Sequence, residues 1–261
     1  MQAMMRTPAA TPDKVGFMIA GTQRGGTTTL YEYLRRHPEI CMPEKKELHF
    51  FDDEGLWRSP PPAYERYRAE FTVEPSHRVL GDATPIYMYW EPALPRIRDY
   101  NAAMKLILIL RNPITRAYSH WNHEHRGGRE PLLFHDALLA ERARAEQARP
   151  AQLRHSSYVQ RGMYTGQLAR VWAHFPVEQT LVLKTDDLRT SLTDVFARIA
   201  SFLGVAHFTP AHAITAHANP YEAPMSSADK RYLVGVFEQE IRELERLLGW
   251  DCSEWLAEER V

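Results

Sequence analysis

The segment Gly21-Thr22-Gln23-Arg24-Gly25-Gly26-Thr27-Thr28 gathers glycines, hydroxyls and a cation after an apolar run, and Leu30, Tyr33 and Leu34 follow it at helical spacing. Glycines let a backbone turn tightly, so successive N–H groups can converge on an anion at the positive end of a helix. The chemistry such a loop serves is phosphate binding, with Gly25, Gly26, Thr27, Thr28 and Thr29 as candidate ligands through backbone N–H or hydroxyl groups. Simple capping of the helix by Thr27 or Thr28 is the alternative, and both roles can coexist. The spacing of Gly21 and Gly26 is that of a P-loop, GxxxxG, yet a P-loop continues with Lys and then Ser or Thr. Thr27 stands in the lysine position, so the residue that would reach β- and γ-phosphates is missing.

A nucleoside triphosphatase also needs an acidic residue for magnesium, usually at the end of a second apolar strand. The strongest such run, Lys105 to Leu110, ends in Arg111-Asn112. An arginine there suits a ligand phosphate rather than a metal. Asp186 and Asp187, after the short run Thr180 to Lys184, are the remaining magnesium candidates, and they also suit capping of a helical turn. Glu47, His49 and Asp52 form a titratable group in the stretch ELHFFD. Residue types alone leave Glu47 readable as a surface charge in the run Glu44-Lys45-Lys46-Glu47, and Asp52 as a loop cap. The unperturbed pKa of histidine, about 6.5, makes His49 a rival base. His120, His123 and His125 have the spacing HxxHxH but no nearby Cys, so a solvated-helix or cleft-lining role is preferred to zinc. No metal is expected.

These groups need a scaffold. Val15 to Ala20, Lys105 to Leu110 and Thr180 to Lys184 read as short buried strands. Helices are expected after the glycine loop up to His37-Pro38, after Asn112-Pro113, over 134–148 and 157–175, over 195–203 up to Gly204, and along the stripe Leu233, Phe237, Ile241, Leu244 and Leu248 up to Gly249. Strands alternating with amphipathic helices imply an α/β, P-loop-like three-layer domain: a central parallel sheet with helices on both faces. Ligands in such sheets bind at the carboxyl ends of strands, where the glycine loop and Arg111 both fall. The expected organisation is a disordered tail over 1–14 and a single domain over 15–261.

The 261 residues are 44% hydrophobic and 25% charged, an ordinary globular composition. A net charge of −1 excludes the broad basic footprint of a general nucleic-acid binder, so any anion site must be local. The two cysteines, Cys41 and Cys252, make neither a disulfide framework nor a metal knuckle and fit a reducing compartment. No run reaches the roughly 18 apolar residues of a membrane span, and none resembles a signal peptide. The expected location is the cytoplasm; oligomeric state is not legible.

On these residues the chain resembles the sulfotransferases that use 3′-phosphoadenosine 5′-phosphosulfate (PAPS), in particular the heparan-sulfate-type and related bacterial branch. Phe17 to Leu30 (FMIAGTQRGGTTTL) resembles the family's 5′-phosphosulfate loop, Glu47 to Asp52 (ELHFFD) its segment carrying the catalytic base, and Leu106 to Trp121 (LILILRNPITRAYSHW) its 3′-phosphate site. The resemblance implies transfer of a sulfuryl group from PAPS to a hydroxyl or amine of a glycan or small-molecule acceptor, leaving PAP (adenosine 3′,5′-bisphosphate). It further implies Glu47 as general base, Arg24 near the bridging oxygen of the phosphosulfate, and Arg111 and Ser119 on the 3′-phosphate. Arg161 and Tyr164 would lie near the nucleotide, and His49, Asp52 and Asp82 beside the acceptor. Asp82, which precedes Thr84-Pro85, could instead be a turn former.

Two departures stand out. Arg24 occupies a position where many members have Lys. The family's late loop closes over the nucleotide with a basic residue and Gly, whereas 217–227 (HANPYEAPMSS) contains no Lys or Arg. Either no such clamp exists, or the job moves to Arg161 or Lys230. The alternatives to a sulfotransferase are a degenerate P-loop kinase or nucleotidase and a non-catalytic nucleotide-binding relative. Acceptor specificity is expected in 55–67, rich in aromatics and proline, and in 123–131.

Overall fold

The structure is a computed structural model and describes residues 12–58, 60–149, 151–208, 221 and 223–257. In chain order the elements are β1 (Val15–Gly21), α1 (Thr27–Leu34), β2 (Ile40–Cys41), α2 (Tyr64–Arg68), β3 (Val79–Ala83), α3 (Ala93–Tyr100), β4 (Lys105–Leu110) and α4 (Pro113–Arg126). There follow α5 (Phe134–Ala148), α6 (Tyr164–His174), β5 (Thr180–Lys184), α7 (Asp187–Thr190), α8 (Leu192–Leu203), α9 (Ser227–Leu248) and α10 (Ser253–Leu256). The strands form one parallel sheet in the order β2-β3-β1-β4-β5. The chain starts in the middle at β1, builds one side through β3, then crosses to β4 and β5 on the other. The order therefore switches at β1, which brings the loops after β1 and β4 side by side at the carboxyl edge.

Alternation along the strands makes the three layers. Met18, Ala20, Leu106, Leu108 and Leu110 bury against one face, with side chains from α3, α4, α6 and α9. Phe17, Ile19, Ile107, Ile109 and Leu183 bury against the other, with α1 and α8. The long helix α9 presents Leu233, Phe237, Ile241 and Leu244 to the core at spacings of three and four. Helix ends follow the punctuation: the Asn112 side chain accepts from Ile114 N at 2.9 Å with Pro113 in the first turn. Gly204 (φ 75°) and Gly249 (φ 65°) close α8 and α9 in the left-handed conformation.

Three expectations are modified. The stretch 157–175 is not one helix: a 3-10 turn, Gln160–Gly162, precedes α6. The Glu141 carboxylate accepts from the N–H groups of Val159 (2.7 Å) and Gln160 (2.9 Å), which fixes that segment outside a regular helix. The strand β3 and the helix α3, absent from the expected set, complete one side of the core. Most of the tail over 1–14 lies outside the described residues, but the carbonyls of Pro12 and Asp13 are held by the Arg68 guanidinium.

Gly81 in β3 pairs in register with Phe17 of β1, and a Cβ there would lie 2.1 Å from the Phe17 ring. Gly81→Ala should therefore lower stability by about 1–3 kcal/mol. Gly166→Ala on α6, where a Cβ meets nothing within 4 Å, should instead be neutral or stabilising by up to about 1 kcal/mol. Urea midpoints of the two variants check the contrast.

Candidate active site

The loop between β1 and α1 is pinned from beneath. Thr22 N donates to Ile109 O of β4 at 3.0 Å, and Gly25 N to Thr22 O at 2.8 Å. The Thr185 hydroxyl donates to Gly25 O, and Arg111 Nη1 to Arg24 O at 3.3 Å. A Cβ on Gly25 would lie 2.5 Å from Ile109 O and 2.9 Å from Thr22 O, so only glycine lets the loop sit this close to β4. Gly26, at φ 101°, is the N-cap of α1, and no side chain caps the helix. The N–H groups of the first turn have no carbonyl beneath them within the helix. Thr27 is buried there and Thr28 is exposed, while Thr29 is half-buried.

Cations gather over this loop. Arg24 Nε donates to Ser119 Oγ at 3.1 Å, and Arg111 Nε donates to Thr115 Oγ1 at 3.0 Å. Arg116 is fully buried; its Nη2 donates to Tyr158 O, while Nε and Nη1 have no hydrogen-bond partner. Burial and the neighbouring Arg111 guanidinium push Arg24 below the usual arginine range. Burial together with Arg111 and Arg24 does the same to Arg116. Among the described residues, none of these three guanidiniums pairs with a carboxylate within 4 Å. In a chain of net charge −1 this is a local gathering of positive charge whose carboxylate neighbours act only from beyond ion-pair distance.

The segment with Glu47 docks on the carboxyl end of β3, where Glu47 N donates to Ala83 O at 3.2 Å. Its carboxylate contacts the Lys46 ammonium and lies 3.6 Å from His49 Nε2. His49 Nδ1 is 2.9 Å from Asp52 Oδ2, and Asp52 is also gripped by the Arg154 guanidinium, which bonds its carboxylate and its backbone carbonyl. Burial opposes ionisation of Glu47, but the hydrogen bond from His49 and the Lys46 ammonium outweigh it and hold the carboxyl at about 2. Hydrogen bonds to Asp52 and Glu47 raise His49 to about 9. At neutral pH the pair is therefore carboxylate and imidazolium. Beside it lies a cavity of about 470 Å³ lined by His49, Asp53, Glu54, Gly55, Trp90 and Arg154.

Backbone conformation marks the same residues. Among the described residues, the non-glycine positions with positive φ are Arg24 (70°), Glu47 (63°) and His49 (54°). Each such conformation costs of order 1–3 kcal/mol, and such costs concentrate at functional sites. Arg24 also feels the charge of Glu47, so the glycine loop and the Glu47 segment lie within electrostatic range of each other.

Other residues singled out in the sequence take different places. Asp52 is fully buried and braces His49 instead of facing the cavity. Asp82 is fully buried and accepts from Tyr67 (3.0 Å), Thr84 (3.1 Å) and Tyr87 (3.3 Å), which makes it a brace for the end of β3 rather than an acceptor contact. Arg161 is 2% exposed, and its nitrogens donate to Ser157, Gln23 and Arg154 O. It thus ties the glycine loop to the segment that holds Asp52. Tyr164 donates to Arg111 O at 2.8 Å and so positions that arginine. The histidines of α4 diverge: His120 packs on Tyr158, His125 bonds Glu130 O at 2.7 Å, and His123 senses Arg24 and Glu47. Asp186 accepts from Trp255 Nε1 at 3.3 Å and pairs with Arg189. Of the late segment 217–227, residues 217–220 and 222 lie outside the described residues; the Tyr221 ring stacks on Tyr118 of α4, and although burial opposes its ionisation, nearby Arg111, Ser119 and Arg24 hold its phenol below the ordinary tyrosine range. Gln23, Trp90, Arg154 and Tyr221 had no signal in residue type or spacing, because their neighbours are distant in sequence.

The comparisons agree with this architecture. Residues 14–219 match the sulfotransferase domain family. The membrane-associated sulfotransferase kil1 of Dictyostelium discoideum is 32% identical over 106 residues, covering 41% of this chain and 22% of that protein. The human heparan sulfate glucosamine 3-O-sulfotransferase 3B1 is 29% identical over 193 residues, covering 72% of this chain and 45% of that enzyme. The chain thus spans less than half the length of these two relatives. A sulfotransferase crystal structure from Alicyclobacillus acidocaldarius superposes with a TM-score of 0.78 at 28% identity, covering 94% of this chain and 99% of that one. A mouse sulfotransferase complexed with PAP shares the fold, with a TM-score of 0.55 at 13% identity. Among the described residues no helix is long and apolar enough to cross a membrane. The central parallel sheet, the glycine loop beneath its arginines and the match over most of the chain lead to one assignment: this chain belongs to the sulfotransferase domain family.

Proposed function

We propose that this chain transfers a sulfuryl group from PAPS to a hydroxyl or amine of a glycan or small-molecule acceptor. The observation that carries this reading is the coincidence of backbone strain with chemistry: Arg24 in the glycine loop and Glu47 and His49 in the segment docked on β3 all hold positive φ. Further support comes from the cationic site formed by Arg24 and Arg111 without a carboxylate partner, and from the close seat of Gly25 on β4. The donor supplies a sulfuryl group bonded to a phosphate oxygen that is already a weak base.

In the reaction the acceptor oxygen forms its bond to sulfur as the bond from sulfur to the phosphate oxygen breaks, and PAP leaves. The first-turn N–H groups of α1, with Thr27, Thr28 and Thr29, hold the 5′-phosphate. Arg111 and Ser119 hold the 3′-phosphate, which distinguishes PAPS from a donor lacking it. Arg24, which donates to Ser119 Oγ and feels the charge of Glu47, stabilises charge on the departing phosphate. Arginine does not release its proton in practice, so it acts by fixed charge. Glu47 accepts the acceptor's proton. With its carboxyl held at about 2 it is a weak base, so the proton moves late, once bond formation to sulfur has acidified the hydroxyl. The His49 imidazolium, braced by Asp52, orients Glu47 and lines the acceptor cavity. No step here calls on a metal.

Arg24→Lys should keep substantial turnover and Arg24→Ala should lose most of it, while Arg111→Ala should raise KM for PAPS far more than KM for the acceptor. Steady-state rates on an acceptor found by screening with labelled PAPS check both, and an alanine variant at Arg24 as fast as the parent would sink the assignment. The pH profile separates Glu47 from His49 as base. With Glu47 as base, kcat/KM stays flat through neutrality and falls as His49 loses its proton near pH 9. With neutral His49 as base it would rise through the same range.

A further inference from the structure

The two halves of the site differ in how their charges are partnered. Around the glycine loop, Arg24 and Arg111 bond only hydroxyl and carbonyl oxygens. The cavity of about 470 Å³ beside His49 is built the opposite way. Both cations on its lining are engaged by carboxylates. His49 Nδ1 lies 2.9 Å from Asp52 Oδ2, and Nε2 lies 3.6 Å from Glu47 Oε2. Arg154 bonds the Asp52 carboxylate and the Asp52 carbonyl, and its guanidinium lies over the Trp90 ring, 4.7 Å from the centroid. The lining also carries two carboxylates of its own, Asp53 and Glu54, both exposed. Glu54 accepts from Arg96 at 2.9 and 2.8 Å and from Trp90 Nε1 at 2.8 Å, yet its side chain stays 51% exposed. Asp53 Oδ1 accepts from the N–H groups of Gly55 (2.9 Å) and Leu56 (3.1 Å), and among the described residues no cation pairs with it.

At neutral pH the cations His49 and Arg154 are therefore balanced by Asp53 and Glu54, and Asp52 behind them adds a further negative charge. This excludes two kinds of acceptor. A sulfated or carboxylated one brings oxygens that only accept hydrogen bonds, and it would set them beside Asp53 and Glu54 with no cation to spare. An apolar one would take water from both carboxylates and return no hydrogen bond. A hydroxyl both donates and accepts. It can donate to Asp53 and Glu54, and it can accept from the guanidinium N–H groups that Arg154 does not spend on Asp52. A wall of this mixed kind suits a ligand with several hydroxyls and no charge, and the volume suits a small one.

We propose that the acceptor is an uncharged polyhydroxyl compound of sugar-like size, and that Asp53 is the residue that turns anionic acceptors away. The inference deepens the reading of this chain as a PAPS-dependent sulfotransferase and rests on it.

The test measures transfer from labelled PAPS to disaccharides in matched pairs, one member uncharged and the other carrying a carboxylate in place of a hydroxymethyl group, with a simple phenol alongside. The parent chain is compared with Asp53→Asn, which keeps the Oδ1 acceptor for Gly55 and Leu56 and removes the charge. The parent should favour the uncharged member by about tenfold or more in kcat/KM, chiefly through KM, and Asp53→Asn should narrow that ratio by about threefold. A merely structural role for Asp53 would lower both rates together and leave the ratio unmoved, which would overturn its part in selection. Equal or better use of the charged members, transfer to the phenol alone, or transfer to none of the panel by a chain that binds PAP would overturn the acceptor class. A chain that binds no PAP would instead overturn the PAPS reading itself.

Discussion

Arg24, Arg111, Arg116 and Arg161 are brought together at the carboxyl edge of the sheet, and each of Arg24, Arg116 and Arg161 is pushed below the ordinary arginine range first by burial and then by another of the cations. Burying like charges without carboxylate partners is costly in free energy. The fold tolerates it by giving about half of the guanidinium nitrogens oxygen acceptors: Ser119, Thr115, Ser157, the carbonyls of Arg24, Tyr158 and Arg154, and the Gln23 amide. These neutral acceptors solvate the guanidiniums without cancelling their charge. The proposed donor site depends on that concentration of cations in a protein that is itself near neutral.

The same edge carries the second half of the chemistry. A continuous chain of contacts runs from Gln23 in the glycine loop through Arg161 and Arg154 to Asp52, His49 and Glu47. Of its interior members Arg161 and Asp52 are buried and Arg154 and His49 half-buried, and its ends are a glycine-loop residue and the proposed base. Placing both on one chain fixes their relative geometry, which is what an in-line transfer requires. The left-handed backbone at Arg24, Glu47 and His49 shows the cost of that placement, a cost the surrounding core holds in place.

The fold was largely legible because its signals are local. Apolar runs marked β1, β4 and β5, Asn112-Pro113 marked the start of α4, and Gly204 and Gly249 marked helix ends. Strand β3 escaped because VLGDA carries a glycine and an aspartate. Gly81 is required by the Phe17 ring of the neighbouring strand, and Asp82 by hydroxyls of Tyr67 and Tyr87, neither of which spacing can show. In the candidate site, the glycine loop, Glu47 and Arg111 stood out through motif and resemblance. The places of Asp52, Asp82 and Arg161 did not, since all three look like exposed polar residues and become buried braces only through partners far along the chain.

The central claim is that the cationic edge is built for a 3′-phosphorylated nucleotide handled without magnesium. Titration of the chain with PAP in the presence of a chelator, beside ATP with magnesium, tests it most directly. The account predicts saturable binding of PAP to one site without metal and weaker binding of ATP whether or not magnesium is present. Absence of PAP binding, or tight magnesium-dependent binding of ATP, would contradict it.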